Sequence, residues 1–411
     1  MPYYVARGRI PHKRHTQFRK PDGGLYHEEL LGSEGFSGAS TLVYRLNPPT
    51  RVQRMFAQPP LEREIWDEPV HRHHLLRTIG AQPHGDAIDG RRTLFFNQDV
   101  AFSVVRPVER MDYFFRNAHA NELHFVHEGS GTLSTQFGTI SYRPGDWLVI
   151  PHNTTYHLLA NPGEEQRMVV IEAAGPIVPP RRYLNEYGQF LESSPYCERD
   201  LRAPDELDTH DERGEFEVRV KTGTRITSYV YEEHPFDIVG WDGSLYPYAL
   251  NIEDFEPITG RVHQPPPVHQ VFQLQGGVVC NFVPRKNDYH PQAIPAPYNH
   301  SNIDSDEVLY YVNANRRMLT SGAIDMAAIS LHPSGIPHGP KPGEYEGSIG
   351  RTDTDEIALM LDTFRPLTLT TAAREFDDAT YPMSWVTEAA PAGNGPAASE
   401  VARLAEPALM R

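Results

Sequence analysis

The sequence predicts an all-β-dominated protein with two barrels of antiparallel strands and an irregular N-terminal arm. The chain has 411 residues, enough for two or three domains. Its 37 prolines and 31 glycines stand among few long helical patterns, which favours short strands and turns. Short apolar runs with alternating polarity form two separate sets, as expected for antiparallel strands.

Each set of runs predicts one barrel. The first lies in residues 93–175 and comprises TLFFNQDVAFSVVRP, ELHFVHEGSGTLSTQF, GTISYRPGDWLVIP and RMVVIEA. The second lies within residues 236–385 and comprises VFQL, GVVCNFVP, EVLYYV, AAISL and IALMLDTF. Two similar sets indicate an internal duplication.

The remaining segments flank or connect the barrels. Residues 1–92 mix basic, aromatic, glycine and proline positions and predict an arm with short strands. Residues 176–235 are proline-rich and charged, so we expect a bridging segment there. Residues 386–411 are rich in alanine, proline, glycine and glutamate, which predicts a flexible tail.

The charge and the termini limit the possible partners. A net charge of −16 disfavours nucleic acid and an anionic membrane as partners. No run approaches the roughly 20 apolar residues of a membrane helix, and the opening residues lack an apolar signal core. Two cysteines, Cys197 and Cys280, do not make a disulfide framework. We therefore expect a cytoplasmic protein.

Two histidines and a carboxylate occur in the order in which a β-barrel presents metal ligands. His300 precedes a strand, Glu307 opens the strand EVLYYV, and His338 follows a Pro-x-Gly turn after the next predicted strand. Two neutral imidazoles and a carboxylate on one face of an octahedral ion leave three positions open. This suits non-haem Fe(II), which can then hold a chelating substrate and O₂ together. Zinc also binds to two histidines and a glutamate in proteins. Asp306 is the alternative to Glu307 as the carboxylate ligand.

These residues carry a family resemblance. The spacing H-x-N-x4-E, followed later by P-x-G-x2-H, resembles the cupin metal motif, with Asn302 in place of its second histidine. Residues from about 236 to 367 resemble homogentisate 1,2-dioxygenases, and residues 12–36 resemble the bacterial members. The matching stretches are FDIVGWDG, HQPPPVHQVF, FVPR, PYNHSN, DEVLYYV, LHPSGIPHGP and DTFRPL.

The resemblance implies a bicupin, in which both barrels are jelly rolls, and it favours iron over zinc. The implied reaction converts homogentisate and O₂ to maleylacetoacetate in tyrosine and phenylalanine breakdown, and the implied assembly is a homo-oligomeric trimer or hexamer. One alternative is a paralogue that cleaves another hydroquinone-type aromatic acid. Another is a metal-binding cupin with an isomerase or binding role.

The resemblance also assigns two further histidines. His263 matches the family histidine that handles the proton of the substrate phenol, a task suited to an imidazole near neutral pH. The alternative is a loop histidine that packs on residues 265–267. His332 matches another family histidine, which would bind the substrate or orient a ligand, and the alternative is a histidine that only packs.

Two stretches depart from the family pattern near the expected mouth of the pocket. Residues 314–317 replace a glycine and an aromatic residue, and residues 324–327 replace a glycine-rich turn. These changes bear on the substrate more than on the metal. Arg316 or Arg317 could hold a substrate carboxylate bidentately, and the alternative is a solvated loop.

The first barrel carries a similar but incomplete set of residues. Glu122, Gly129, Pro151 and His157 follow a comparable order, but no histidine occupies residues 112–118. A degenerate barrel without a metal is therefore expected.

The histidine-rich residues 71–74 could also suggest a metal site. Neighbouring histidines on a strand point to opposite faces, and no carboxylate lies at ligand spacing. This predicts a solvated or interface loop.

Overall fold

The computed structural model describes residues 3–313 and 324–386, in which strands predominate. The strands in chain order are β1 Val5–Gly8, β2 His27–Gly32, β3 Ser40–Arg45, β4 Val52–Gln58, β5 His74–Arg77, β6 Arg92–Phe96, β7 Val100–Val105, β8 Phe114–Asn117, β9 Asn121–Glu128, β10 Gly131–Thr135, β11 Gly138–Tyr142, β12 Asp146–Ile150, β13 Thr155–Ala160, β14 Arg167–Ala173, β15 Leu201–Arg202, β16 Arg213–Thr222, β17 Arg225–Glu233, β18 Ile238–Gly243, β19 Tyr248–Asn251, β20 Gln270–Leu274, β21 Gly277–Phe282, β22 Arg285–Lys286, β23 Asp306–Tyr311, β24 Ala328–His332, β25 Asp353–Thr354, β26 Ala358–Thr363 and β27 Thr368–Leu369.

Helices are short in this part of the chain. The two α-helices are α1 Glu344–Ser348 and α2 Thr371–Arg374. Single 3₁₀ turns cover Glu34–Phe36, Thr78–Gly80, Arg181–Tyr183, Glu198–Asp200, Ile252–Asp254, Pro266–His269 and Tyr381–Trp385. No helix in the described ranges is long and apolar enough to cross a membrane. The predominance of strands confirms the predicted all-β fold class.

A central sheet of eight strands is covered on both faces. Its strand order is β15-β19-β12-β9-β14-β7-β6-β27. One face packs on a seven-stranded sheet of order β11-β10-β13-β8-β16-β17-β4, and the other packs on a six-stranded sheet of order β20-β21-β26-β23-β24-β5. Along β14, Met168 and Val170 enter the first core, whereas Val169 and Ile171 enter the second. A strand buried on both faces needs an almost continuous apolar run, which explains the sequence RMVVIEA.

Aromatic contacts join the central sheet to the six-stranded sheet. Trp147 in β12 donates from Nε1 to Oδ1 of Asn281 in β21 at 3.0 Å, and its ring lies 6.2 Å from that of Phe272. His127 in β9 is hydrogen bonded to the hydroxyl of Tyr310 in β23. These contacts fix β21 and β23 against the central sheet.

The domain limits given above stay predictions, and strand pairing crosses them. β5, from residues 1–92, pairs with β24 in the six-stranded sheet. The hairpin of β16 and β17, from residues 176–235, belongs to the seven-stranded sheet. β18 joins a four-stranded sheet of order β1-β18-β3-β2 with the N-terminal arm. Backbone groups at a sheet edge need partners, which these flanking segments supply.

Candidate metal centre

Three side chains predicted as metal ligands lie together at one end of the six-stranded sheet. Glu307 is the second residue of β23, and its neighbour Val308 enters the shared core. Strand alternation therefore turns Glu307 to the opposite face, toward a cavity. His300 and His338 come from the extended segments before β23 and after β24, and each donates its backbone N–H to the carbonyl of the other at 2.9 Å.

A tight turn brings His338 back to His300. Gly335 has φ +83°, and its N–H is bonded to the carbonyl of Asn302 at 3.0 Å. Gly339 follows the ligand, and a Cβ there would lie 2.4 Å from Oδ1 of Asn299. Only glycine permits this close approach of the two segments.

The distances fit a metal ion. His300, Glu307 and His338 each offer one ligand atom. These three atoms all lie within 4.8 Å of one another. Nε2 of His300 is 3.7 Å from Oε2 of Glu307, and Nε2 of His338 is 3.3 Å from Oε1. Metal–ligand bonds of roughly 2.0–2.2 Å put neighbouring donors about 3 Å apart, so only small movements would close the site.

The histidine tautomers also suit metal binding. Nδ1 of His300 lies 3.3 Å from the carbonyl of Tyr298, and Nδ1 of His338 lies 3.4 Å from that of Ile336. A carbonyl only accepts, so the tautomer with its proton on Nδ1 fits these contacts and would leave the Nε2 lone pair for a metal ion. Nε2 of His338 is buried without a hydrogen-bond partner, and a ligand role would satisfy it.

Glu307 is an anion held by imidazoles. Burial alone would raise its pKa, but contacts with His300, His332 and His338 outweigh burial and hold the pKa well below its usual value. The contact with Glu307 in turn raises the pKa of His300. The site therefore carries negative charge that a cation can neutralise.

His332 lies behind Glu307 with both ring nitrogens in use. Its Nδ1 is 2.8 Å from Oε1 of Glu307, and its Nε2 is 3.0 Å from the hydroxyl of Tyr381. Burial lowers the pKa of His332, so the neutral ring donates to the carboxylate and accepts from the hydroxyl. This pattern is that of a group that orients a metal ligand.

The carboxylate of Asp306 has a different task. It accepts the N–H of Ser334 at 2.9 Å and that of Leu367 at 2.7 Å. Asp306 thereby holds the start of the turn that leads to His338. The structure brings Glu307, and not Asp306, to the histidines.

A cavity of about 680 Å³ opens above the three side chains, within the usual range for small-molecule sites. His263 lies in its wall, with its ring 4.8 Å from that of Tyr298, so the structure brings the predicted catalytic histidine to the same cavity. Burial lowers the pKa of His263. Apolar parts of the wall include Phe282, Leu309 and Met360.

Comparison with known proteins supports the resemblance seen in the sequence. Residues 87–252 match the family described as homogentisate 1,2-dioxygenase N-terminal. A protein of Saccharolobus solfataricus named "Putative dioxygenase" is 41% identical over 391 residues, which cover 94% of this chain and 100% of that protein. Homogentisate 1,2-dioxygenase of Nitrobacter hamburgensis is 25% identical, with 86% and 84% covered, and that of Oryza sativa is 26% identical, with 83% and 77% covered. The chain belongs to the homogentisate 1,2-dioxygenase family.

Two solved structures match this chain at lower sequence identity. Protein Ylba from E. coli has a TM-score of 0.35 and 8% identity, with 71% of this chain and 90% of that chain covered. A Cupin 2 conserved barrel domain protein from Leptotrichia buccalis has a TM-score of 0.31 and 8% identity, with 72% and 99% covered.

Asp362 is a site residue that the sequence analysis missed. It lies in β26 directly opposite Glu307 in β23, and it lines the cavity. Its Oδ1 is buried without a hydrogen-bond partner. Burial, and then the charge of Glu307, raise the pKa of Asp362 to about 8. The available signal is the single acidic residue in the apolar run IALMLDTF.

The prediction for residues 71–74 is wrong for two of the four. His73 and His74 are 6% and 2% exposed, because β5 pairs with β24. This pairing places them next to the turn that leads to His338. His74 is bonded through Nδ1 to Asp377 at 2.9 Å. His71 is exposed, as expected.

Arg316 and Arg317 lie outside the described residues, as does the rest of residues 314–317. A role in binding a substrate carboxylate therefore stays a prediction. The second departure from the family, residues 324–327, is described, and its Ala327 has φ +60° and is fully buried.

In the first strand set, Glu122 is committed to an ion pair. Its carboxylate meets Arg91 at 2.6 Å and accepts from the hydroxyl of Tyr156 at 2.6 Å. His157 instead reaches the carbonyl of Met111 through Nε2 at 2.7 Å. Within the described ranges, the group at Glu307 is the only cluster with metal-ligand geometry.

Proposed function

We propose that this chain is an Fe(II)-dependent dioxygenase that opens the ring of a small aromatic acid. The observation that carries the proposal is the group of His300, Glu307 and His338 in the cavity wall, with Nε2 of His338 buried and unpartnered. Membership of a dioxygenase family supports the same reaction class.

The donor set favours iron. Two imidazoles and one carboxylate suit non-haem Fe(II), because three positions stay open for other ligands. His300, Glu307 and His338 would hold the ion, and Fe(II) would supply a common binding point for the substrate and O₂, which would convert a slow encounter into an oriented one.

The side chains around the site then have separate tasks. His332 keeps Glu307 in one orientation through the 2.8 Å contact at Nδ1. His263 has a lowered pKa, so it is neutral near pH 7 and can accept the phenolic proton of the substrate.

The proposed substrate is homogentisate, which would give maleylacetoacetate. Curated relatives of that name are only 25–26% identical, and residues 314–317 differ from the family pattern. Another hydroquinone-type aromatic acid is therefore the second candidate. In either case we expect Arg316 or Arg317 to bind the substrate carboxylate. A cytoplasmic location and a trimeric or hexameric assembly stay expectations from the sequence.

Anaerobic reconstitution tests the proposal. Metal-free protein is loaded with Fe(II), and O₂ uptake and absorbance of the ring-opened product are followed with homogentisate and with a panel of ring-substituted hydroquinone acids. We expect uptake in equal amounts of O₂ and substrate. Zinc-loaded protein is the control and should be inactive. Activity on another member of the panel but not on homogentisate would select the second candidate, whereas absence of O₂ uptake with every acid would contradict the proposal.

A further inference from the structure

The carbonyls of the residues before and after His338 are held by two side chains from distant parts of the sequence. Nε2 of His73 lies 3.2 Å from the carbonyl of Pro337. Nε1 of Trp385 donates to the carbonyl of Gly339 at 2.9 Å. His338 itself is paired through both backbone groups with His300. The backbone that carries the ligand is therefore fixed at four points.

Strand pairing places His73 at this position. His74 is the partner of Leu331 in the β5–β24 ladder, so His73 falls beside His332, with 5.3 Å between ring centroids. The ring of His73 is also 5.9 Å from that of His338, and the residue is 6% exposed. A carbonyl only accepts, so Nε2 of His73 carries the proton. Burial lowers the pKa of His73 to about 4, which keeps the ring neutral near pH 7.

Trp385 reaches the same turn from the other end of the described chain. It closes the 3₁₀ turn Tyr381–Trp385, whose first residue is bonded to His332. The ring of Trp385 lies 5.1 Å from that of His73, so the two side chains pack on each other. Together they form a clamp, defined as His73 and Trp385, around the backbone of His338.

The clamp matters because the polar contacts of the His338 ring are few. Its Nδ1 lies 3.4 Å from the carbonyl of Ile336, its Nε2 lies 3.3 Å from Oε1 of Glu307, and the ring stacks on that of His332 with 4.4 Å between centroids. The direction of the ring also depends on the direction of the Cα–Cβ bond, and hence on the backbone of residues 337–339.

We propose that His73 and Trp385 are positioning residues, which orient His338 through its backbone and so set the affinity of the metal site. This inference rests on the proposed metal-dependent function. It assigns a task to the otherwise unexplained histidine in residues 71–74.

Cobalt binding to metal-free protein tests the clamp without recourse to activity. Co(II) takes similar ligands and has visible absorption bands that report the ligand geometry. We expect His73→Ala to weaken Co(II) binding by about 10–100-fold, the usual effect of losing a group that supports a ligand, and to shift the bands. Trp385→Phe keeps an aromatic side chain but removes the N–H, and should act in the same direction. His73→Asn retains an N–H donor and should recover part of the affinity.

His157→Ala is the matched control, because His157 also makes a ring contact with a backbone carbonyl, 2.7 Å from that of Met111, but in the first strand set. It should lower the melting temperature of the metal-free protein yet leave Co(II) affinity unchanged.

The outcomes separate the clamp from the proposed function. If the wild-type protein binds Co(II) and the His73→Ala and Trp385→Phe proteins bind it equally well, the proposed role of the clamp is overturned. The proposed function is not affected by that result. Equal weakening by His157→Ala would also overturn it, because the effect would then be general destabilisation. If His73→Ala does not fold, Trp385→Phe and His73→Asn decide by the same criteria. Wild-type protein that binds no Co(II) would overturn the proposed function and the clamp with it.

Discussion

Arg91 and Glu122 form a buried ion pair, with 2.6 Å between Nη1 and Oε1 and side chains that are 4% and 1% exposed. The hydroxyl of Tyr156 and the amide of Asn117 also donate to this carboxylate, at 2.6 and 3.0 Å. Burial would raise the pKa of Glu122, but Arg91 and His124 outweigh it, and the pKa lies well below its usual value. In the first strand set a guanidinium thus neutralises a buried glutamate.

Removal of Arg91 should therefore destabilise the protein strongly. An uncompensated buried charge typically costs about 3–5 kcal/mol, so we expect Arg91→Ala to lower the free energy of unfolding by that order, as measured by urea denaturation. Arg54→Ala is the control, because its ion pair with Glu215 is more than half exposed and should contribute less than about 1 kcal/mol. A similar small loss in both variants would contradict the buried-pair account.

The grouping of His300, Glu307 and His338 could be predicted because their arrangement is local in sequence. Glu307 opens a strand, and a short glycine turn returns the next strand's end to His300, so spacing alone brings His338 close. Strand alternation gives the face of Glu307. The all-β class followed from the same period-two pattern.

The residues around the ligands could not be predicted because long-range pairing places them. His73 and Pro337 are 264 residues apart, and they meet only because β5 adds to the edge of the six-stranded sheet. No local pattern records which edge a short strand will join. Asp362 reaches the site by the register of β26 against β23, which is likewise a tertiary property.

A buried histidine between the strand sets should make the protein sensitive to acid. Burial lowers the pKa of His127 from 6.5 to about 4. Between these values the unfolded chain binds a proton that the folded protein does not, so stability falls as pH decreases from 6.5 toward 4. This residue alone contributes about 1.4 kcal/mol per pH unit. His127→Gln should remove that part of the slope in urea unfolding measured from pH 7 to 5. An unchanged slope would contradict this account, because it would show that His127 binds its proton over the same pH range in the folded and unfolded states.

Two variants test whether His332 mainly orients Glu307 or binds the substrate. If it orients Glu307, His332→Ala should weaken metal binding by about 10–100-fold. Tyr381→Phe removes the hydroxyl bonded to Nε2 and should have a smaller effect in the same direction. Metal affinity can be measured by competition with a chelator. Full metal affinity with a raised KM would instead assign His332 to the substrate.

His263 should be needed for turnover but not for metal binding. It lines the cavity without belonging to the ligand group, so His263→Ala should keep the metal. Loss of a proton-transfer group typically slows the reaction by about 10²–10⁴-fold. The half-buried His290 is a nearby control outside the cavity lining, and His290→Ala should react at the wild-type rate. Wild-type turnover in the His263 variant would leave it a structural residue.

The iron content of two neighbouring variants tests the central claim most directly. Glu307 faces His300 and His338, whereas the carboxylate of Asp306 is occupied by two backbone N–H groups. After anaerobic loading and removal of free metal, we predict a single iron per chain in wild-type protein and in Asp306→Asn, and almost none in Glu307→Ala. O₂ uptake with the aromatic acid should follow the iron content. Full iron occupancy and activity in Glu307→Ala would contradict the assignment of this group as the metal centre.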